Sequence, residues 1–335
     1  MRFIYFLQFS IALFSFTTSN GQIAKQANQI DSIQSAKEIE ALLSKTDERL
    51  KIFKVMSDLK FPDKSCQKTA DSLKISPWAK ADFDNNGLTD LLVIGCNGHE
   101  FLAVCILDEG NNKYNLIFLT RRAFEDCSFP LVRTDDGSVK IEYFYFSYLT
   151  DKNEPFTQHL LKKTLVYKFG DFIEDTNNQG NHSIQKIEYS TSGCFGRCAV
   201  FDLEISPNRA ALWGAERYNQ IKNKVFSGTF KTTLDSSRYK QIIDLVNYID
   251  FEKLDQNYEI SWSDDQTAII TITYDDGKTK TIRDYGLFGT FGLNRLYNLL
   301  FDLRENQRWI KTNTSNILRK QETIQKMYPS IPRPD

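Results

Sequence analysis

The 335-residue chain is 41% hydrophobic and 25% charged, a globular composition with enough length for two domains of ordinary size. With 42 basic against 43 acidic side chains, its net charge is −1. No long-range field therefore draws it to nucleic acid or to an anionic membrane, and no basic stripe interleaved with aromatics takes the place of one.

Residues 1–21 read as a secretory signal. Met1-Arg2 supplies the positive end, Phe3 to Phe16 is almost wholly apolar, and Ser19-Asn20-Gly21 offers small residues for cleavage before Gln22. The apolar run is shorter than the roughly 20 residues that a membrane-spanning helix needs, so the expected product is exported, periplasmic or extracellular, without a transmembrane span. Residues 22–57 predict a helical segment, because Ala27, Ile30, Ile33, Ala36, Ile39, Leu42 and Leu43 recur every three to four positions. Six cysteines follow, Cys66, Cys96, Cys105, Cys127, Cys194 and Cys198. An even count in an exported chain favours disulfides; Cys194 with Cys198 is the local pair, and the other four are expected to pair among themselves in a pattern left open.

The stretch Asp82-Phe83-Asp84-Asn85-Asn86-Gly87-Leu88-Thr89-Asp90 carries the chain's clearest chemistry. Oxygen-bearing side chains stand at its first, third, fifth and ninth positions, Gly87 is the sixth, and the Leu88 carbonyl is available at the seventh. That spacing suits Ca²⁺, which takes roughly six to eight oxygens and needs a sharp turn mid-loop. Asp82, Asp84, Asn86, Leu88 and Asp90 are thus the candidate metal ligands. The plainer reading is a polar turn before a buried strand, but three crowded carboxylates repel one another unless a cation offsets them. Position twelve is Val93 rather than the bidentate Glu of an EF-hand. A strand following directly on the loop is instead the arrangement of the calcium loops in FG-GAP repeats of integrin-type propellers, which Ala81 to Leu92 resembles, once and without the internal period of a propeller.

Strands are expected at Leu91 to Ile94, Phe101 to Leu107, Tyr114 to Leu119, Val139 to Phe146 and Leu160 to Phe169. Residues 58–174 therefore predict a β-rich domain built as an antiparallel meander. Residues 175–184 carry almost nothing apolar and predict a linker, with His182 solvated in it. Residues 185–310 start afresh: a strand, the Gly193-Cys194-Phe195-Gly196-Arg197-Cys198 loop, further strands, a helix capped by Asp235, a hairpin turned by Asp275-Asp276-Gly277, and a second amphipathic helix through Leu293, Leu296, Leu300 and Leu303. Residues 311–335 form a polar tail. The predicted class is α+β: an N-terminal helix with an antiparallel meander, then a second domain with an antiparallel sheet and two amphipathic helices.

The second half resembles a family of exported bacterial proteins defined only as a domain of unknown function. The likeness rests on Ser192 to Cys198, on Phe226-Ser227-Gly228, on Ser263-Asp264-Asp265-Gln266 and on Ile282-Arg283-Asp284-Tyr285-Gly286. It implies a fold and no activity.

The residues point to a non-enzymatic binding or structural module of the cell envelope, its first domain ordered by calcium and its partner an unidentified protein or glycan. The alternative is an envelope enzyme, using either thiol-disulfide chemistry at Cys194 and Cys198 or hydrolysis by Asp264, Asp265 and Asp284 around one hairpin. A Cys-x3-Cys loop between strands lacks the two-residue spacing and helix start of thioredoxin-type motifs, which favours a structural bond.

Overall fold

The computed structural model describes residues 28–120, 127–135, 137–151, 154–177, 179–260 and 263–313. The expected signal segment 1–21 and nearly all of the polar tail lie outside the described residues. The protein is α+β with antiparallel sheets, as its strand and helix patterning predicts.

The N-terminal stripe folds as two helices rather than one, α1 (Gln29–Ser32) and α2 (Ala36–Thr46). Each begins with a capping box, Asn28 with Asp31 and Ser35 with Glu38. The second box restarts the helix at Ser35, so Ile33 is left extended between the two. The ammonium of Lys80 covers the exposed end of α1 by donating to the carbonyls of Asp31 (3.0 Å) and Ile33 (2.6 Å). Strand β1 (Phe53–Val55) and helix α3 (Lys64–Leu73), neither expected, follow. Asp63 starts α3 by accepting from the Ser65 and Cys66 amides, and Lys74 ends it in the left-handed region.

Strands β2 (Trp78–Ala81), β3 (Asp90–Asn97), β4 (Glu100–Gly110) and β5 (Lys113–Phe118) complete a five-stranded sheet with β1. Strands β6 (Ser128–Asp135), β7 (Ser138–Asp151), β8 (Glu154–Lys168) and β9 (Asp171–Glu174) make a separate four-stranded sheet. The expected single meander is thus two sheets. On one face of the first, Leu91, Val93, Leu102, Val104 and Ile106 pack against Ile30, Ile39, Leu42 and Leu43. On the other, Leu92, Ala103, Cys105 and Leu107 meet Ile141, Tyr143 and Leu165 of the second sheet. Burial on both faces explains why β3 and β4 read as unbroken apolar runs rather than alternating ones.

Two disulfides form, Cys66–Cys127 and Cys194–Cys198, while Cys96 and Cys105 are free thiols. The expectation that all four N-terminal cysteines pair is therefore corrected. Cys105 lies opposite Leu92, four positions along β3 from Cys96. At about 3.3 Å per residue that separation is roughly 13 Å, beyond the reach of a disulfide.

The second sheet system holds β10 (Ile184–Thr191), β11 (Val200–Ile205), β12 (Ala210–Arg217), β15 (Gly228–Thr233), β17 (Thr267–Tyr274), β18 (Lys278–Tyr285) and two short edge strands, β16 (Asn257–Tyr258) and β19 (Ile310–Thr312). Its order is β16-β18-β17-β10-β11-β12-β15-β19, antiparallel except for β16 on β18. A small hairpin, β13 (Gln220–Ile221) with β14 (Lys224–Val225), stands off between β12 and β15. Helices α4 (Ser236–Tyr248) and α5 (Phe291–Asn306) bury Ile242, Leu245, Val246, Leu293, Leu296, Leu300 and Leu303 in the same core as Tyr189, Phe201, Trp213 and Ile270. Asp235 does occupy the N-cap of α4, but its side chain makes no capping hydrogen bond.

Alternating residues of β9 point to opposite sides. Phe172 belongs to the core between the first two sheets and Ile173 to the core under α4 and α5. Next to them, the Glu174 carboxylate accepts from the Phe291 and Gly292 amides at 2.9 Å each, capping the start of α5 from outside its own helix. Glu174→Ala removes both acceptor oxygens and an anion from a helix N-terminus. The expected loss is about 2 kcal/mol in a denaturant titration, with Glu174→Gln losing less.

The expected linker is also bonded in place. The Gly180 amide donates to the Asn247 carbonyl at 2.8 Å, and the His182 amide to Asn247 Oδ1 at 2.9 Å. His182 is not solvated. Its Nδ1 lies 2.6 Å from an Asp275 carboxylate oxygen, and its ring packs on Phe251 and Tyr274. This contact holds the Asp275 carboxyl below the usual range.

Candidate functional site

The acidic loop joins β2 to β3 and is closed at its base by the pairing of Ala81 with Asp90. Within it Asn85 (φ 59°) and Gly87 (φ 87°) both occupy the left-handed region. The space around Gly87 is open, so the turn's demand there is on the backbone rather than on volume.

Backbone amides set the acids. Asp82 accepts from the Asn86 amide (3.0 Å) through one oxygen and from the Gly87 amide (2.9 Å) through the other. Asp84 accepts from the Asn86 amide and side chain, both at 3.1 Å. Asp90 is wholly buried; its oxygens accept from the Phe83 amide (2.7 Å) and from the Asp108 amide of β4 (2.8 Å). One carboxylate oxygen from each of Asp82, Asp84 and Asp90 lies within 4.8 Å of the others, and among the described residues this is the one group of three or more acids, histidines or cysteines so arranged.

The electrostatics are those of a crowded anionic site. Burial, followed by repulsion from Asp84 and Asp82, pushes the Asp90 carboxyl up to about 7 against the pull of its two amide donors. Burial and Asp82 likewise raise that of Asp84. A carboxylate oxygen that already accepts an amide keeps a lone pair for a cation, so these three groups could hold a hard ion. Of the other expected ligands, Asn86 turns its Oδ1 onto the Leu88 amide (2.7 Å) and its side-chain N–H onto the Asp108 carbonyl (2.7 Å). Two neighbours that the sequence pattern did not single out complete the setting. They are Asp108, through the two bonds above, and Asn28, whose side chain donates to the Thr89 carbonyl at 2.9 Å. Both come from distant stretches, and nothing in the loop's own spacing announces them.

The Cys194–Cys198 loop is braced at both stems. Gln266 Nε2 donates to the Ser192 and Ala199 carbonyls at 2.8 and 2.9 Å, and the Thr191 hydroxyl donates to Ala199 at 2.8 Å. The acids proposed for hydrolysis have separate tasks. Asp284 is fully buried and accepts from the Phe288 and Gly289 amides at 2.9 and 2.8 Å. Asp264 sits in a left-handed turn, and its carbonyl receives the Phe195 amide. Burial pushes the thiols of Cys96 and Cys105 up, away from reactive thiolate.

Residues 185–304 match the model of a family described as a domain of unknown function, DUF6438. The matched span runs from β10 to near the end of α5, the part that the cysteine loop and hairpin motifs had singled out. No curated protein matches the chain.

Proposed function

We propose that the protein is an exported, non-enzymatic binding or structural module of the cell envelope whose N-terminal part is ordered by Ca²⁺ held at Asp82, Asp84 and Asp90, in a loop like those of FG-GAP repeats. The carrying observation is the convergence of these three carboxylates, one of which, Asp90, is buried. The amide bonds to Asp90 and the side-chain bonds from Asn86 and Asn28 tie the loop to β4 and to the start of α1. A cation there would fasten three elements at once, a structural task. The partner is a protein or glycan of the envelope, met through strand and loop surfaces. The braced cysteine loop and the backbone duties of Asp284 favour this reading over the enzymatic one.

Thermal and denaturant unfolding with calcium against chelator tests it. A ligand at a hundredfold over its dissociation constant stabilises the folded state by about 2.7 kcal/mol. Asp82→Asn and Asp84→Asn should abolish that increment, since each removes a charged ligand from the cluster. The increment should also depend on pH. Without a cation the folded protein holds a proton on Asp90 up to about pH 7. Its stability is thus fullest below the carboxyl's unfolded value and falls as pH rises through about 7. Calcium must displace that proton, so its effect should be small near pH 5 and large near pH 8, with proton release on binding. No calcium-dependent shift at any pH would end the proposal.

A further inference from the structure

Phe195, Tyr218 and Val225 are among the most exposed large apolar side chains described, at 86%, 53% and 78%. All three stand in the connections at one end of the eight-stranded sheet, Phe195 between β10 and β11 and the other two between β12 and β15. Val200, just after the cysteine loop, pairs with Arg217 at the end of β12. The buried Asn219 then locks the two loops together: its side chain donates to the Val200 carbonyl at 2.7 Å and to the Arg217 carbonyl at 3.0 Å, and its own carbonyl receives the Phe226 amide.

Neither loop is slack. The first is closed by Cys194–Cys198 and braced by Gln266. The second turns through Lys222 (φ 45°) and Asn223 (φ 66°), the paired left-handed residues of a tight hairpin, with Tyr218 itself at φ 57°. Exposed apolar side chains on two fixed projections are not the residue of a loose surface.

Around them stand Arg197, Lys222 and Lys224, all exposed and without an ion-pair or hydrogen-bond partner among the described residues. Arg217 is paired with Glu216 at 3.1 Å. The acids Asp264 and Asp265 precede β17, across the cysteine loop from the hairpin, where the Asp264 carbonyl receives the Phe195 amide at 2.9 Å.

We propose that the cysteine loop and the β13–β14 hairpin form a docking edge for an anionic lipid bilayer, with Phe195, Val225 and Tyr218 entering the headgroup region and Arg197, Lys222 and Lys224 meeting lipid phosphates. The apolar tips stand on separate projections, Phe195 on the cysteine loop and Tyr218 and Val225 about the hairpin. A protein partner would need a matching concave surface packed over roughly 800 Å² a side, whereas a fluid bilayer accepts projections without shape matching, and cations act there within a Debye length. The chain's overall charge of −1 excludes long-range attraction and leaves this short-range pairing intact.

The test is co-sedimentation of the chain lacking residues 1–21 with vesicles of phosphatidylcholine containing phosphatidylglycerol, against phosphatidylcholine alone, in chelator so that the result is independent of the acidic loop. Binding should require the anionic lipid and be released by high salt. The pair Lys222→Gln and Lys224→Gln should weaken it about 25-fold, roughly fivefold for each cation, and Phe195→Ser roughly tenfold. Ile52→Ser, which removes an exposed apolar residue far along the chain, should change nothing. Each variant's unfolding midpoint verifies its fold. Absence of sedimentation, equal sedimentation with both vesicles, or unaltered binding by the Phe195 and Lys222/Lys224 variants overturns the proposal. So does capture of a soluble acidic protein through these residues without vesicle binding.

Discussion

Replacing Cys66 and Cys127 together by alanine should lower the stability of the protein by about 4 kcal/mol. The bond spans 61 positions and joins α3 to the entry of β6. In the chain-entropy account, its removal frees a loop of that size in the unfolded ensemble. Both sulfurs are buried beside Phe61, Phe101 and Phe129, so a small packing loss adds in the same direction. The Cys194–Cys198 bond spans only 4 positions, and the same account gives it about 2 kcal/mol. Urea titrations of the two double variants measure the contrast. Equal losses would show that packing, and not loop closure, sets the value of the longer bond. A steeper denaturant slope for the Cys66/Cys127 variant should accompany its lower midpoint, because its unfolded chain is less constrained.

The second large effect concerns the core under α5. Trp213 is fully buried, with ring centroids 5.2 Å from Phe226, 5.1 Å from Phe230 and 5.5 Å from Trp309. Trp213→Ala should cost about 3–5 kcal/mol, the loss of a fully buried aromatic side chain and the cavity it leaves. Its indole N–H, however, has no hydrogen-bond partner among the described residues, a burial that itself costs about 1–3 kcal/mol. Trp213→Phe removes that donor along with part of the ring, so its loss should stay below about 2 kcal/mol. If the phenylalanine variant fell as far as the alanine one, shape and not the unmatched donor would govern the site. Unfolding midpoints of the two variants, side by side, decide it.

Which patterns could be read in advance follows from how far apart the determining residues lie. The hairpin of β17 and β18 was legible because its alternation and its Asp275-Asp276-Gly277 turn are adjacent, and all three turn residues do take positive φ. The helices α4 and α5 were legible from three-to-four spacing alone. The acids of the loop were legible as a group because they lie within nine positions. By contrast, α3 escaped notice because its buried face is made of the small or polar Cys66, Thr69 and Ala70 and its start is set by the Asp63 cap. The break between α1 and α2 depended on a competition, since Ser35 and Glu38 could either continue a helix or start one, and the capping box won.

Local periodicity, turn chemistry and ligand spacing determined the α+β class, the amphipathic helices, the Cys194–Cys198 closure and the position of the acidic loop, because each arises among residues close along the chain. Only the tertiary structure decided that the first half is two sheets face to face, that Cys66 finds Cys127 while Cys96 and Cys105 stay reduced, that His182 is held by Asp275, and that Asp90 is sealed by an amide from Asp108. Those outcomes join residues tens of positions apart, and which of them meet is settled by packing and burial over the whole molecule, where no local pattern carries the information.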